Sequence, residues 1–322
     1  MAKVLITHPQ MSAPLKLLSD HEVITSDHVL SNDELSAQIS EADAVLTCLN
    51  DRLDAEMIAK AKQLKIIAQC AAGYNNIDLL AASRAGIVVT STPGVLHEAT
   101  ANLAFTLLLM VTRRAGEAER LVRARKPWHF DYSFMLGMGI QSATLGIIGL
   151  GQIGEAMARR GAAVGMNVIY TAHSDKDVSA IDATNPHTAP TRRVTTEELL
   201  SSSDVVSLHC PLTEETRHII DSDALATMKP SAYLINTARG ACVDEKALAQ
   251  ALSKGQIAGA GLDVFEDEPN IYEPLYEMEN VVLLPHIGSA ERPTREKMTE
   301  LAAKNILSVL DGNAPLTPVP LH

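Results

Sequence analysis

The chain has 322 residues, 46% of them hydrophobic, and its 27 Lys and Arg against 39 Asp and Glu give a formal charge of −12. That length exceeds what one compact core usually holds, so two domains are expected, and acidic charge spread along the chain argues against nucleic acid as a partner. Four cysteines with no C-x-x-C pair, and no histidine at zinc-finger spacing, read as buried or free thiols of a reducing compartment, with no structural metal.

In chain order, Val4 to Thr7 reads as a strand followed by His8-Pro9, without the apolar core and cleavage site of a signal peptide. Strand patterns recur at Glu22 to Thr25, Ala44 to Thr47, Leu64 to Ala68 and Ile87 to Thr90. Helical patterns between them predict a small parallel sheet covered by helices. The most apolar stretch, Ala101 to Val111, is about half of the roughly 20 residues a membrane span needs and is closed by Arg113-Arg114. It is expected to be a buried helix of a cytoplasmic protein that has no membrane partner.

A second series of strands is expected at Leu145 to Ile148, Asn167 to Thr171, Val205 to His209, Tyr233 to Asn236, Ala258 to Asp263 and Val281 to Leu284. The polar stretch from Ser174 to Arg193 reads as a long surface loop. A helical stripe of Met298, Leu301, Ala302, Ile306, Val309 and Leu310 closes the chain and needs a sheet to cover. If that is the first sheet, a smaller domain is built from residues 1–98 and 290–322, with a second domain of residues 99–289 inserted between.

The most specific signal follows the strand Leu145 to Ile148. It runs into Gly149-Leu150-Gly151-Gln152-Ile153-Gly154 and then into a helix-forming stretch, the strand, turn and helix context of a dinucleotide site. Gly149 permits the tight turn, Gly151 lets a pyrophosphate approach the backbone, and Gly154 lets the helix lie close to the strand. The anion then meets free N–H groups at the positive end of a helix.

Three later strand ends deliver ionisable side chains: Asn236-Thr237-Ala238-Arg239-Gly240, the run from Leu262 to Pro269 with Asp263 and Glu268, and Leu284-Pro285-His286-Ile287-Gly288. Reduction of a 2-oxo acid at C2 needs all three functions. A guanidinium such as Arg239 holds the carboxylate with two parallel bonds. An imidazole such as His286 gives a proton to the developing alkoxide, and a carboxylate such as Glu268 favours and orients the imidazolium. Spacing alone is equally compatible with a satisfied histidine, a strand-end salt bridge at Arg239 and a solvated acid within Glu266-Asp267-Glu268.

These segments in order, together with Leu208-His209-Cys210-Pro211-Leu212-Thr213 and Met228-Lys229-Pro230, resemble the D-isomer-specific 2-hydroxyacid dehydrogenase family along essentially the whole chain. The resemblance implies an α/β fold of two doubly wound parallel-sheet domains, a Rossmann cofactor domain inserted into a smaller flavodoxin-like substrate domain. It also implies closure between the domains on binding, and a homodimer. It places the catalytic arginine, glutamate and histidine on Arg239, Glu268 and His286. Asp263 would meet the nicotinamide amide, and Gln152 and Ile153 would offer backbone to the pyrophosphate. Thr100, Cys210, Pro211, Thr216, Thr237, Ala238, Arg239, His286 and Gly288 would complete the cofactor surroundings. In the loop Ala71 to Asp78, the N–H groups of Ala72 and Gly73 would hold the substrate carboxylate, with Arg239 and His286.

Length and the run Phe134-Met135-Leu136-Gly137 are most similar to glyoxylate and hydroxypyruvate reductases, in which an aromatic residue before this run reaches the neighbouring subunit's active site; Trp128 or Phe130 stands near that place. A dehydrogenase of bulkier acids such as 2-ketogluconate, and a dinucleotide-sensing corepressor-like protein, are the alternatives. NAD-selective members put an acid at the end of the second strand, where it binds the ribose 2′-OH. Here that end reads Thr171-Ala172-His173-Ser174, with Ala172 at the acidic position. His173 and Ser174 can donate to a 2′-phosphate, so NADP(H) is expected over NAD(H), although no arginine follows directly and Asp175 and Asp177 do.

Overall fold

Short runs of apolar and β-branched residues, buried on both faces, are what parallel sheets between helices require. The computed structural model, which describes residues 1–320, contains two such sheets among those residues. The first has β1 (Lys3–Ile6), β2 (Glu22–Thr25), β3 (Ala44–Thr47), β4 (Ile66–Gln69) and β5 (Val88–Thr90), all parallel in the order β2-β1-β3-β4-β5. The second has β6 (Thr144–Ile148), β7 (Asn167–Thr171), β8 (Arg192–Arg193), β9 (Val205–Leu208), β10 (Tyr233–Asn236), β11 (Gly259–Leu262) and β12 (Val281–Leu283). These are also parallel, in the order β12-β11-β10-β9-β6-β7-β8.

The chain divides into two compact units, one from Met1 to Leu96 together with Ser289 onward, the other His97–Gly288. In the first, the helix Arg292–Leu310 lies against β3, β4 and β5 and buries Met298, Ala302, Ala303 and Ile306. Its core includes Leu5, Ile39, Val45, Leu53, Ile67 and Val89. In the second, one apolar cluster centred on Leu208, Leu234 and Leu248 and another centred on Leu107, Leu145 and Met157 complete the core. The apolar stretch from Ala101 to Val111 belongs to the helix His97–Thr112, which packs on β10 and β11. Among the described residues no helix is long and apolar enough to cross a membrane.

The stretch expected to be a loop from Ser174 to Arg193 holds a short helix, Ser179–Asp182, and the edge strand β8. Ile169 pairs with Arg192 and Tyr170 with Arg193, so the second sheet has seven strands where six are expected from the sequence. Two exposed arginines show no alternation of apolar and polar residues, and only backbone pairing defines them as a strand.

Strand order reverses in each sheet, between β1 and β3 in the first and between β6 and β9 in the second. In open α/β sheets the carboxyl ends of the strands at such a reversal are where ligands bind.

Candidate active site

The reversal in the second sheet is where β6 ends in the glycine turn. Gly149 takes a φ of 94°, donates its N–H to the carbonyl of Thr171 at 3.1 Å, and would place a Cβ 2.7 Å from the Cys210 nitrogen. Only glycine fits that combination of left-handed backbone and close approach. Nothing lies within 4 Å of where a Cβ on Gly151 would stand, so the space above that backbone is open. Gly151 is the N-cap of the helix Gln152–Ala163 and supplies no side-chain cap. The first N–H groups of that helix, including those of Gln152 and Ile153, have no intrahelical acceptor. Close by in the sheet order, at the end of β10, the Thr237 hydroxyl is buried without a partner. An open turn, orphan donors and a positive helix end fit a pyrophosphate.

The other site residues stand at the ends of β10, β11 and β12. Asn236, 1% exposed, closes a local clamp: its Oδ1 accepts from Ala238 N at 3.0 Å and its Nδ2 donates to the Arg239 carbonyl at 2.9 Å. The clamp fixes the turn from which the half-buried Arg239 side chain extends, with Nη1 donating to the Ala238 carbonyl at 2.6 Å. Gly240 then passes so close to the next strand end that a Cβ on it would overlap the Phe265 carbonyl carbon, at 1.8 Å. That contact brings the Arg239 turn against the loop carrying Glu268.

Glu268 accepts from Phe265 N at 3.0 Å through Oε1 and pairs with His286 Nδ1 at 2.7 Å through Oε2. Burial works against its negative charge, but the bond to His286, the nearby imidazole, the Phe265 N–H and the Arg239 guanidinium outweigh it and hold the carboxyl below its ordinary range. With Nδ1 committed to Glu268, the remaining ring nitrogen of His286 is the one available to a ligand, and the side chain is 30% exposed. Burial lowers the pKa of Arg239, with Glu268 opposing it, and the guanidinium remains the local cation.

His286 takes a positive φ of 54°. Asp263, 1% exposed, holds the backbone beyond it, accepting from Ile287 N and Gly288 N at 2.8 Å each. Burial pushes the Asp263 carboxyl up, against those two N–H donors and the His286 ring. Thr100 packs against Gly288, where a Cβ would be 3.3 Å from Thr100 Cγ2. Beyond β9, the Thr216 hydroxyl donates to the Pro211 carbonyl at 2.6 Å, and Cys210 and Ala238 are buried. Ala172 is half-buried at the end of β7, with His173 and Ser174 exposed after it.

Ala72 and Gly73 belong to the other unit. There Gln69 Nε2 donates to the Gly73 carbonyl at 3.2 Å and to Asn76 Oδ1 at 2.9 Å, shaping the loop after β4. Among the described residues the N–H groups of Ala72 and Gly73 have no acceptor within the protein.

Sequence reasoning missed Glu245. It is 6% exposed, and its two oxygens accept from Glu266 N at 2.8 Å and Tyr272 N at 3.2 Å, fastening both ends of the Glu268 loop. Following the N-cap Asp244, it looks in sequence like an ordinary first-turn acid of the helix Glu245–Ser253.

Residues 105–288 match the family described as D-isomer specific 2-hydroxyacid dehydrogenase, NAD binding domain. The chain is 48% identical over 287 residues to a glyoxylate reductase of Thermococcus litoralis, a match covering 87% of this chain and 84% of that protein. Among solved structures it is similar to a glyoxylate reductase from Paecilomyes thermophila, with a TM-score of 0.87, 34% identity and coverage of 99% of this chain and 98% of that one. It is also similar to an NADPH-dependent glyoxylate/hydroxypyruvate reductase from Sinorhizobium meliloti in complex with NADP and malonate, with a TM-score of 0.83, 31% identity and coverage of 99% and 96%.

Proposed function

The chain belongs to the D-isomer-specific 2-hydroxyacid dehydrogenases, and from that premise we propose that it reduces small 2-oxo acids, glyoxylate and hydroxypyruvate first, preferring NADPH to NADH. At the coarser level it is an oxidoreductase of 2-oxo acids that uses a nicotinamide dinucleotide. The reading of its site rests on one observation: the Glu268–His286 pair, 2.7 Å apart, lies beside Arg239 with the imidazole open to one side.

When bound, the dinucleotide supplies the hydride. Arg239 holds the substrate carboxylate with its planar fork. His286 delivers a proton from the ring nitrogen that does not face Glu268 to the oxygen on C2, and Glu268 keeps the ring in that orientation. In the unit that begins at Met1, Ala72 and Gly73 are proposed as N–H donors to a substrate carboxylate. Gly149, Gly151, Gln152, Ile153 and Gly154 would hold the pyrophosphate. Asp263 fixes the backbone beyond His286 and would meet the nicotinamide amide, and Thr100, Cys210, Pro211, Thr216, Thr237, Ala238 and Gly288 would help hold the cofactor.

We further read the protein as a cytoplasmic homodimer. Its four cysteines are free, and Trp128, Phe130 and Tyr132 are 55%, 78% and 94% exposed on one segment, a surface suited to a second copy of the chain.

Steady-state reduction of glyoxylate, hydroxypyruvate and 2-ketogluconate, each with NADPH and NADH, tests the proposal. The expected result is the highest kcat/KM for glyoxylate or hydroxypyruvate with NADPH. A clear preference for 2-ketogluconate would move the substrate to bulkier sugar acids. Tight dinucleotide binding without turnover of any acid would favour a sensor.

A further inference from the structure

The carboxyl end of β7 lies beside the glycine turn, because Gly149 N bonds to the Thr171 carbonyl. In a dinucleotide fold the segment after Thr171 would meet the adenosine ribose of a bound cofactor. The sequence after it offers no arginine, but the sheet supplies one from the side. Arg193 pairs with Tyr170 as the last residue of the edge strand β8. Its Nη2 donates to the His173 carbonyl at 3.1 Å and its Nη1 to Asp175 Oδ1 at 3.2 Å. The guanidinium thus lies against the segment that carries Ala172, His173 and Ser174.

Three surrounding contacts decide what it can do. Arg192, the preceding residue, is engaged elsewhere, with Glu198 at 2.7 Å. Asp177 is also occupied, accepting from Ser179 N at 3.0 Å at the start of a short helix. Tyr170, buried, accepts from Lys176 N at 3.0 Å through its hydroxyl and folds the loop back over the strand end. That leaves Asp175 as the acid facing Arg193, and its side chain is 86% exposed. So open an ion pair is weak and exchanges readily. A phosphate monoester carries more charge than one carboxylate and can take a guanidinium bidentately, whereas Asp175 holds it through Nη1 alone.

We propose that Arg193, reaching over from β8, is the residue that recognises the 2′-phosphate of NADP(H), and that Asp175 is the exchangeable carboxylate which the phosphate displaces from it. The inference rests on the dinucleotide reading and the NADPH preference proposed above, and it assigns that preference to a residue outside the β7 loop. Asp175 sets the discrimination from the other side, since with NADH bound it keeps the guanidinium.

Calorimetric titration of the full-length protein with NADPH, NADH and adenosine 2′,5′-bisphosphate tests this without turnover. Arg193→Leu is expected to lower the ratio of NADPH to NADH affinity about tenfold to a hundredfold. It is expected to weaken the bisphosphate in parallel, with Arg193→Lys falling between. Asp175→Ala is expected to tighten NADPH and the bisphosphate severalfold, a gain that disappears in the Asp175→Ala/Arg193→Leu double variant. A purely structural role for Arg193 predicts equal weakening of NADPH and NADH and an unchanged ratio, which would overturn the proposal. So would an Asp175→Ala gain that persists without Arg193. A wild-type protein that binds NADH more tightly refutes the cofactor preference alone, provided that Arg193→Leu still shifts the ratio.

Discussion

Each unit holds a histidine against a carboxylate at the carboxyl end of its sheet, and the two pairs differ in how exposed and how fully hydrogen-bonded they are. In the first unit His8 Nε2 lies 2.9 Å from Asp51 Oδ1, with side chains 11% and 2% exposed. Asp51 also takes the Thr7 hydroxyl at 2.5 Å, the Thr47 hydroxyl and the Cys48 N–H at 2.9 Å. In the second unit Glu268 takes, among the described residues, only the Phe265 N–H and His286, and both side chains stay more than a quarter exposed. Burial opposes the charge of both acids, and in both the hydrogen bonds win and lower the pKa. A histidine–carboxylate pair is therefore no mark of catalysis by itself. The pair with an open imidazole face and a guanidinium neighbour is suited to chemistry, whereas the saturated pair is suited to holding strand ends together.

Exchanging the two histidines for alanine breaks the comparison most sharply. His286→Ala is expected to lower kcat for 2-oxo acid reduction by roughly 10²–10⁴-fold, the usual contribution of a positioned proton donor, while dinucleotide affinity changes little. His8→Ala should leave kcat within about twofold and instead remove about 1.5–3 kcal/mol of stability, as for a hydrogen bond to a charged group. Parallel kinetics and denaturant unfolding decide the matter. Equal loss of turnover in both variants would erase the distinction.

Next in size is Asp51→Ala. It removes the carboxylate shared by the Cys48 N–H, the His8 ring and two hydroxyls, and leaves the hydroxyls of Thr7 and Thr47 only their longer contacts to the Leu46 and Cys48 carbonyls. A loss of about 3–5 kcal/mol is expected, in the range for breaking a buried charged network. Urea unfolding should show the midpoint falling with little change in slope. A loss under about 1 kcal/mol would mean that the network exchanges readily with water.

The two sites were unequally legible in the sequence. Gly149, Gly151 and Gly154 could be read because strand, turn and helix are contiguous, and Arg239, Glu268 and His286 because each follows an apolar run that ends at the same edge of one sheet. Arg193 could not: its strand has two residues, and its relation to His173 exists only through pairing of β8 with β7. Glu245 and the Gly240–Phe265 contact were equally hidden, since they join segments that are adjacent only after folding. The resemblance implies that Asp263 contacts the cofactor; what the structure shows is that it accepts from Ile287 N and Gly288 N and holds the backbone after His286.

The smallest expected effect concerns the carboxylate of the open pair. Glu268→Gln keeps an oxygen for the Phe265 N–H and replaces the charged acceptor facing His286 Nδ1 with a neutral NH2 donor. The folded-state pKa of Glu268 lies below its ordinary value, so its stabilising contribution is complete above the unfolded pKa of about 4.3 and is lost as pH falls through the folded value. The side chain is 28% exposed, which limits the contribution to about 1 kcal/mol or less. The parent should therefore melt above the variant at neutral pH by at most about 2–4 °C. That gap should begin to close only below about pH 4.3. Melting curves of both proteins from pH 7 down to the acid transition read this directly. A gap that closes well above that pH would show a carboxyl raised by burial, and the open pair would then resemble a buried acid more than a counter-charge for His286.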